Sequence, residues 1–548
     1  MKLKVILQAL VLLFPILILA QKTKSMEKIT INNHTQKIDI NNLEYWVMND
    51  GKGATDPTQA NALGAYFPKG TTKSVVYQDG VIWSGKLKLP DGSKSLRTGG
   101  GTYVGGLQAG KILTPGIVSG QNYISPVAED PTLSKNKIYK VQKNSDLLPD
   151  SEIKNELLAD YNNWPYSDGA PLLEDFNSIG DQILYFVAND VNAAKNKLLY
   201  GTDPIGLEIQ TTVTGFGVAT YGNSVFIKKI LINKSGLDVD SMYISQWCDP
   251  DLGDAADDLV GVDTLLNFGF CYNGKTNDQI YGSTPPAIGY SFLQTPKIKT
   301  NNNSDIASYM GKRLKGFKNI GLSSFVYHIG GGPITIADPP LGSIAGSKVC
   351  YNYQRGLDYN GNPLSDNSGK TTKFLVSGDP VSGTGDIDGI KYTLGDRRFL
   401  ISTGPFSMAP GDTQEVIIAM FAAQGSSNIN SVTVLRNFFA GFNKDKVLDV
   451  SERISAKSFD LLHAYPNPFN PSTTIEFNLE TGSTISINIF NLLGQKIKTV
   501  QDGFLNNGKH SVSWNGKDEK GRAVGSGMYF ARISDSKMSL TQKLILAK

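Results

Sequence analysis

The stretch from Tyr465 to Lys548 constrains the fold more tightly than any other part of this chain. Tyr465-Pro-Asn-Pro-Phe-Asn-Pro471 holds too many prolines for a helix and breaks the chain ahead of a new unit. Beyond it, Ile475, Phe477 and Leu479 alternate with Thr474, Glu476 and Asn478. Ile485, Ile487 and Ile489 alternate with Ser486 and Asn488, and Val512 and Trp514 with Ser511 and Ser513. A period of two places every second side chain on one face, so each run predicts a strand with one buried side. Turns are expected at Gly494, Asn507-Gly508 and Gly516. Residues 465–548 therefore read as a small β-sandwich, with strands too short and too regular for any helical alternative.

The 57 glycines and 25 prolines are spread along all 548 residues, so turns are frequent throughout and the chain reads as mainly β. Residues 21–455 are expected to form a large β-rich, sandwich-like body, as one unit or as two lobes divided near 300–320. Residues 456–464 read as a linker. Strands are predicted at Gln182–Val187, Leu207–Thr214, Val225–Ile232, Met242–Trp247, Gly289–Leu293, Arg398–Ser402 and Glu415–Ala422, where β-prone residues cluster. Asp79-Gly80 between Ser74–Gln78 and Val81–Ser84 predicts a hairpin turn. Apolar residues at three- and four-residue steps (Val432, Leu435, Phe438, Phe439, Phe442) predict a helix over Asn428–Phe442, and a weaker pattern predicts one over Ser151–Tyr161. Some seven strands after Tyr465 fit an Ig-like module.

At the other end, Lys2 and Lys4 precede an apolar run from Val5 to Leu19, and Ala20 stands before a polar segment. That pattern predicts a signal peptide over 1–20, shorter than the ~20 apolar residues a membrane-spanning helix needs. Fifty-three basic and fifty acidic side chains give a net charge of +3, which leaves no electrostatic footprint for nucleic acid. Three cysteines, Cys248, Cys271 and Cys350, read as small buried hydrophobes, although an exported chain can also pair Cys248 with Cys271.

The motifs of the last residues resemble a known family. Tyr465-Pro-Asn-Pro-Phe469, Ile487-Asn-Ile-Phe-Asn-Leu-Leu-Gly-Gln-Lys496, Gly527-Met-Tyr-Phe-Ala-Arg-Ile533 and the terminal Thr541–Leu546 are similar to the C-terminal sorting domains, of type A, of the type IX secretion system. The segment Gly508–Asp518, with Trp514, also resembles the Ig-like domain of flagellar hook-capping proteins. The resemblance implies export, recognition of the folded tail by the type IX machinery, and a mature protein secreted or attached to the outer cell surface. Its motif residues here are Tyr465, Pro466, Asn467, Pro468, Phe469, Gly494, Trp514, Gly527 and Tyr529. The body resembles uncharacterised proteins that carry this tail, through Tyr243–Asp254, Ser377–Gly385 and Gly404–Val416, and that resemblance supplies no activity.

The densest polar constellation of the body is Asp249, Asp251, Asp254, Asp257 and Asp258. Carboxylates this close repel one another unless they are neutralised, and calcium accepts several such oxygens in flexible geometry. The spacing is not that of an EF-hand: Asp254 takes the glycine position and Val260 the glutamate position, counted from Asp249. The competing reading is a solvated acidic loop whose side chains cap turns. Gly385–Gly389 and Asp358–Asn362 read as plain acidic turns.

No catalytic residue is assigned. The four histidines are dispersed, there is no HExxH pair, and there is no Gly-x-Ser-x-Gly elbow. Gly105–Lys111 approaches a phosphate loop, but Ile112 stands where a hydroxyl must hold magnesium. The leading reading is a non-enzymatic exported protein in adhesion, polymer binding or the cell envelope, with surface polysaccharide as a partner. The alternative is a carbohydrate-active enzyme or carbohydrate-binding protein, which would show two carboxylates in a cleft flanked by exposed tryptophans among Trp46, Trp83, Trp164 and Trp247.

Overall fold

Runs of Val, Ile, Tyr, Phe and Thr between Gly, Asn and Asp become antiparallel strands along most of the chain. The computed structural model describes residues 34–59, 63–173, 180–442, 459–479, 482–491, 495–534 and 539–547. The expected signal peptide (1–20) and Gly494 lie outside them. Strand accounts for 46% of the chain and helix for 12%, so the mainly β expectation holds.

The body is built on two large sheets. The first, of ten strands, runs Ser324–His328, Arg398–Met408, Val239–Asp249, Gln78–Lys88, Lys52–Gly53, Glu44–Met48, Ala65–Tyr66 and Ser74–Val76, with Thr35–Ile38 and Lys94–Gly100 on its flanks. The second, of nine, runs Tyr139–Gln142, Gln182–Asn189, Leu207–Gly215, Ser224–Asn233, Thr413–Ala423, Ala287–Gln294, Phe268–Asn273 and Asp258–Asp263, with Gln108–Ala109 beside Gln182–Asn189. All seven strands predicted here form. One hydrophobic core joins the sheets, with Val47, Trp83 and Ile244 of the first buried together with Phe186, Ile227 and Tyr290 of the second.

Helices cover the outer faces. Asn428–Gly441 is capped by Ser427, whose side chain accepts from Asn430 N–H, and packs Val432, Leu435 and Phe439 on Phe268, Phe270 and Phe421 of the second sheet. Glu152–Asn162 is capped in the same way by Ser151. Two further helices, Ala193–Tyr200 and Ile344–Gln354, lie on the first sheet. Ser347 Oγ meets Thr98 Oγ1 at 2.8 Å, and Gln354 donates to Ile82 O.

Three expectations need revision. Arg398–Met408 and Thr413–Ala423 insert between strands of the first and second sheets, so residues on either side of 300–320 share both sheets and no lobe boundary falls there. The stretch holds two short hairpins instead, Lys297–Lys299 with Phe317–Asn319 and Ile306–Tyr309 with Lys312–Lys315. Asp79-Gly80 is no turn but lies inside the continuous strand Gln78–Lys88. Asp79 is fully buried between the sheets, where Tyr45 and Tyr290 hydroxyls donate to it at 2.9 and 2.8 Å, and burial pushes its carboxyl up to about 6. Gly80 is required by close approach, since a Cβ there would lie 2.3 Å from Gly101 O. Beside them a cavity of about 20 Å3, large enough for one water, is lined by Tyr45, Gln246, Thr211 and Lys229. Finally, the strand Phe459–Tyr465 begins inside the stretch read as a linker.

The three cysteines are free and buried, so Cys248 and Cys271 are not bridged. No helix among the described residues is long and apolar enough to cross a membrane.

The C-terminal unit is a sandwich of a three-stranded sheet (Phe459–Tyr465, Thr473–Leu479, Gly508–Trp514) and a four-stranded sheet (Lys496–Leu505, Ser483–Asn491, Gly527–Ser534, Ser539–Leu546). Ile475, Phe477, Ile485, Ile487, Ile489 and Trp514 are buried between them, as the alternation requires.

Candidate functional site

Register in the first sheet gathers the chief polar cluster of the body. Cys248 stands opposite Phe399 and His328 opposite Arg398, so Asp249, the last residue of its strand, comes beside Arg398. One carboxylate oxygen each from Asp249, Asp251 and Asp396 lie within 4.8 Å of one another. Arg398 reaches three acids, with Nη2 2.8 Å from Asp396, Nε 3.4 Å from Asp249 and Nη1 4.0 Å from Asp338. Tyr103 hydroxyl donates to Asp249 Oδ2 at 2.7 Å and accepts from Arg398 Nε at 2.6 Å. Its ring meets Trp247 edge-on at 4.8 Å. Trp247 Nε1 donates to His328 Nε2 at 3.4 Å, which leaves His328 Nδ1 to face Asp338 at 2.5 Å.

Burial, then the neighbouring Asp251 charge, raises Asp249 well above the usual carboxylate range. Burial and the Asp396 charge push Asp251 up to about 6. The other members of the acidic run point elsewhere. Asp254 accepts from Ala256 N–H, Asp257 from Asn273 Nδ2 at 2.5 Å, and the fully buried Asp258 from Leu252 N–H. The structure thus brings together Asp249 and Asp251 of the five, and adds Asp396, Arg398, Tyr103, His328 and Asp338, which sequence reasoning missed. The one available signal was the charged triplet Asp396-Arg397-Arg398 at the head of an apolar strand.

A second feature is a cleft of about 160 Å3 lined by Tyr327, Tyr392, Asp358, Asp386, Asn367 and Lys391 among others. The two acidic turns meet in it. Asp358 accepts from Asn360 and Asn362 N–H, and Asp386 from Asn367 and Val376 N–H. Neighbouring Asp388 instead forms a buried two-point ion pair with Arg397. Trp83, Trp164 and Trp247 are buried, and none lines the cleft. Gly105–Lys111 forms no strand–loop–helix, and Lys111 Nζ pairs with Asp168 at 2.7 Å.

In the C-terminal unit the proline-rich motif closes the sandwich against the last strand. Asn467 accepts from Ile545 N–H through Oδ1 and donates to Lys543 O through Nδ2, both at 2.7 Å. Phe469 exchanges backbone bonds with Ile545 and Ala547 at 2.8 and 2.9 Å. Residues 463–547 match the family of secretion-system C-terminal sorting domains. The C-terminal unit is a type IX sorting domain.

Inside the sorting domain the motif residues are largely structural. Phe469 and Tyr529 pack on the buried Trp514 ring at 5.4 and 5.0 Å, and Trp514 Nε1 donates to Lys517 O. Tyr529 hydroxyl reaches Gly525 O at 2.8 Å, and Gly527 opens the strand that carries it, at a φ of 155°. Tyr465 is 74% exposed, and Pro466 and Pro468 beside it are exposed as well.

Among solved structures, the chain is similar to FLGD from P. aeruginosa at 20% identity, covering 16% of this chain and 67% of that one, with a TM-score of 0.12. A polysaccharide lyase matches at 7% identity over 64% of this chain and 36% of its own, TM-score 0.19. Dimeric latent PorU from Porphyromonas gingivalis matches at 10% over 92% and 31%, TM-score 0.15. The chain spans about a third of the length of these last two, and at such TM-scores none of the three bears on function. No curated protein matches.

Proposed function

We propose that the chain is a cargo of the type IX machinery, carried by its immunoglobulin-like sorting domain to the outer cell surface or the medium. There the body serves as a non-enzymatic module that binds an extracellular polymer, in adhesion or in the envelope. The sorting domain at 463–547 is the observation that carries this reading, because a tail of this family implies export to the cell surface or the medium. Polysaccharide as the polymer is supported by the cleft. Tyr392 is half-buried at its wall, with Lys391 Nζ over its ring at 5.6 Å, while Asn367, Ser365 and Lys391 offer exposed hydrogen-bonding groups. At about 160 Å3 the cleft is smaller than ordinary small-molecule pockets of ~300 Å3 and suits one unit or side branch of a polymer.

The carbohydrate-active alternative needs a free acid and base in this cleft. Asp358 and Asp386, which line it, are both engaged by backbone N–H groups. The test is retention of the purified full chain on a panel of immobilised surface polysaccharides. Binding by at least one, weakened about tenfold or more by Tyr392→Ala, is expected. No retention on any polymer, or retention indifferent to Tyr392, would remove the polysaccharide reading.

A further inference from the structure

The Asp249–Asp251–Asp396 cluster carries more negative charge than its surroundings neutralise. One guanidinium, Arg398, faces Asp249, Asp396 and Asp338, while Asp251 makes no ion pair of its own among the described residues. Each of the three clustered aspartates also has a buried Oδ1 without a hydrogen-bond partner. The residue deepest in the cluster, Asp249, is only 1% exposed, so water does not compensate it. Buried carboxylate oxygens are normally satisfied. Asp249 Oδ1 has only the Arg398 guanidinium, 3.4 Å away and shared with two other acids, so three carboxylates gathered within 4.8 Å ask for a further positive partner.

We propose that Asp249, Asp251 and Asp396 bind a divalent cation, of the calcium type, that ties the end of the Val239–Asp249 strand to the residues entering Arg398–Met408. Ligand atoms on one calcium ion, with bonds of roughly 2.3–2.6 Å, cannot stand more than about 5 Å apart. One carboxylate oxygen from each of the three aspartates meets that limit, all within 4.8 Å of one another. The donors are all carboxylate oxygens, which suits a hard cation. The nearest imidazole, His328, has both ring nitrogens engaged by Trp247 and Asp338, so the site lacks the nitrogen or sulfur ligand a softer metal prefers. This ligand set shares Asp249 and Asp251 with the acidic run but replaces Asp254, Asp257 and Asp258, which bond to Ala256, Asn273 and Leu252, with an aspartate from a different strand entry. The rival arrangement is a proton shared between Asp249 and Asp251, with Arg398 as the sole counter-charge.

Terbium, which replaces calcium in oxygen sites, separates the two. Trp247 and Tyr103 stand beside Asp249 and would sensitise its luminescence. On the purified full chain, terbium emission excited through these rings should appear and be displaced by calcium with a dissociation constant of roughly 0.1–1 mM, as in extracellular modules. Asp396→Asn, at a side chain 42% exposed and safe for folding, should weaken calcium binding at least tenfold, and Asp251→Asn likewise. Asp254→Asn should leave it unchanged. No terbium emission and no calcium heat at 10 mM ion would overturn the proposal, as would binding that survives Asp396→Asn and Asp251→Asn but is lost in Asp254→Asn.

Discussion

Strand Ala287–Gln294 of the body is buried at all eight positions, whereas Thr473–Leu479 of the sorting domain buries Thr473, Ile475, Phe477 and Leu479 and leaves Thr474, Glu476 and Asn478 at or near the surface. The difference comes from what lies outside each sheet. In the body, Asn428–Gly441 and Ile344–Gln354 clothe the outer faces, so strands are apolar on both sides. In the sorting domain the outer faces meet solvent, and everything depends on a thin core, one cluster around Trp514 and a second around Phe477 and Ile485. Two physical strategies thus share one chain: a broad body with redundant packing, and a small tail whose stability and surface both rest on a few side chains.

Trp514→Ala strikes the second strategy hardest. It should cost the sorting domain about 3–5 kcal/mol. In urea unfolding followed separately by hydrogen exchange of the two regions, protection should fall in the tail and persist in the body. An equal loss in both would break the comparison. Leu435→Ala removes a fully buried anchor of the helix on the second sheet and should cost roughly 2–4 kcal/mol in the same assay, this time with the tail unaffected. A cost under about 1 kcal/mol would mean that the helical cover contributes little to the body. Gly80→Ala forces a methyl against Gly101 O and should cost roughly 1–3 kcal/mol by thermal unfolding.

A pH prediction follows from Asp79, which faces Tyr45, Tyr290, Gln246, Cys248 and Lys229. Its carboxyl titrates at about 6 when folded, against 3.8 for the reference group, so the folded chain binds more protons between these values. Its contribution to stability therefore falls as pH rises from about 4 to 6 and is level above that. Asp79→Asn should flatten part of the decline in melting temperature across that window. The smallest effect belongs to the bare face of the tail, where Thr474→Ala, at a side chain that meets Ser513 Oγ at 3.2 Å, should stay within about 0.5 kcal/mol.

The same contrast explains what could be read from sequence. The tail was legible because one-sided burial writes alternation into strands such as Thr473–Leu479 and Ser483–Asn491, though not into Lys496–Leu505. The long body strands were legible as apolar runs, but their order was not. Nothing in the linear sequence says that Arg398–Met408 inserts beside Val239–Asp249, and that register alone brings Asp396 and Arg398 to Asp249. Asp79-Gly80 imitates a turn because its buried partners, Tyr45 and Tyr290, come from distant strands. Helix Ile344–Gln354 escaped notice because Gly346, Ser347 and Cys350, buried within it, are small or polar and give no apolar period. The acidic run was visible as a charge problem. Its division between turn caps and one shared cluster became visible only with the fold.

Delivery by the sorting domain is the central claim, and removing that domain tests it most directly. In the native host, surface labelling and protease accessibility of whole cells should detect the full chain outside. A chain lacking residues 459–548 should remain folded within the envelope, protected until the outer membrane is opened. Normal surface delivery of the truncated chain would contradict the account.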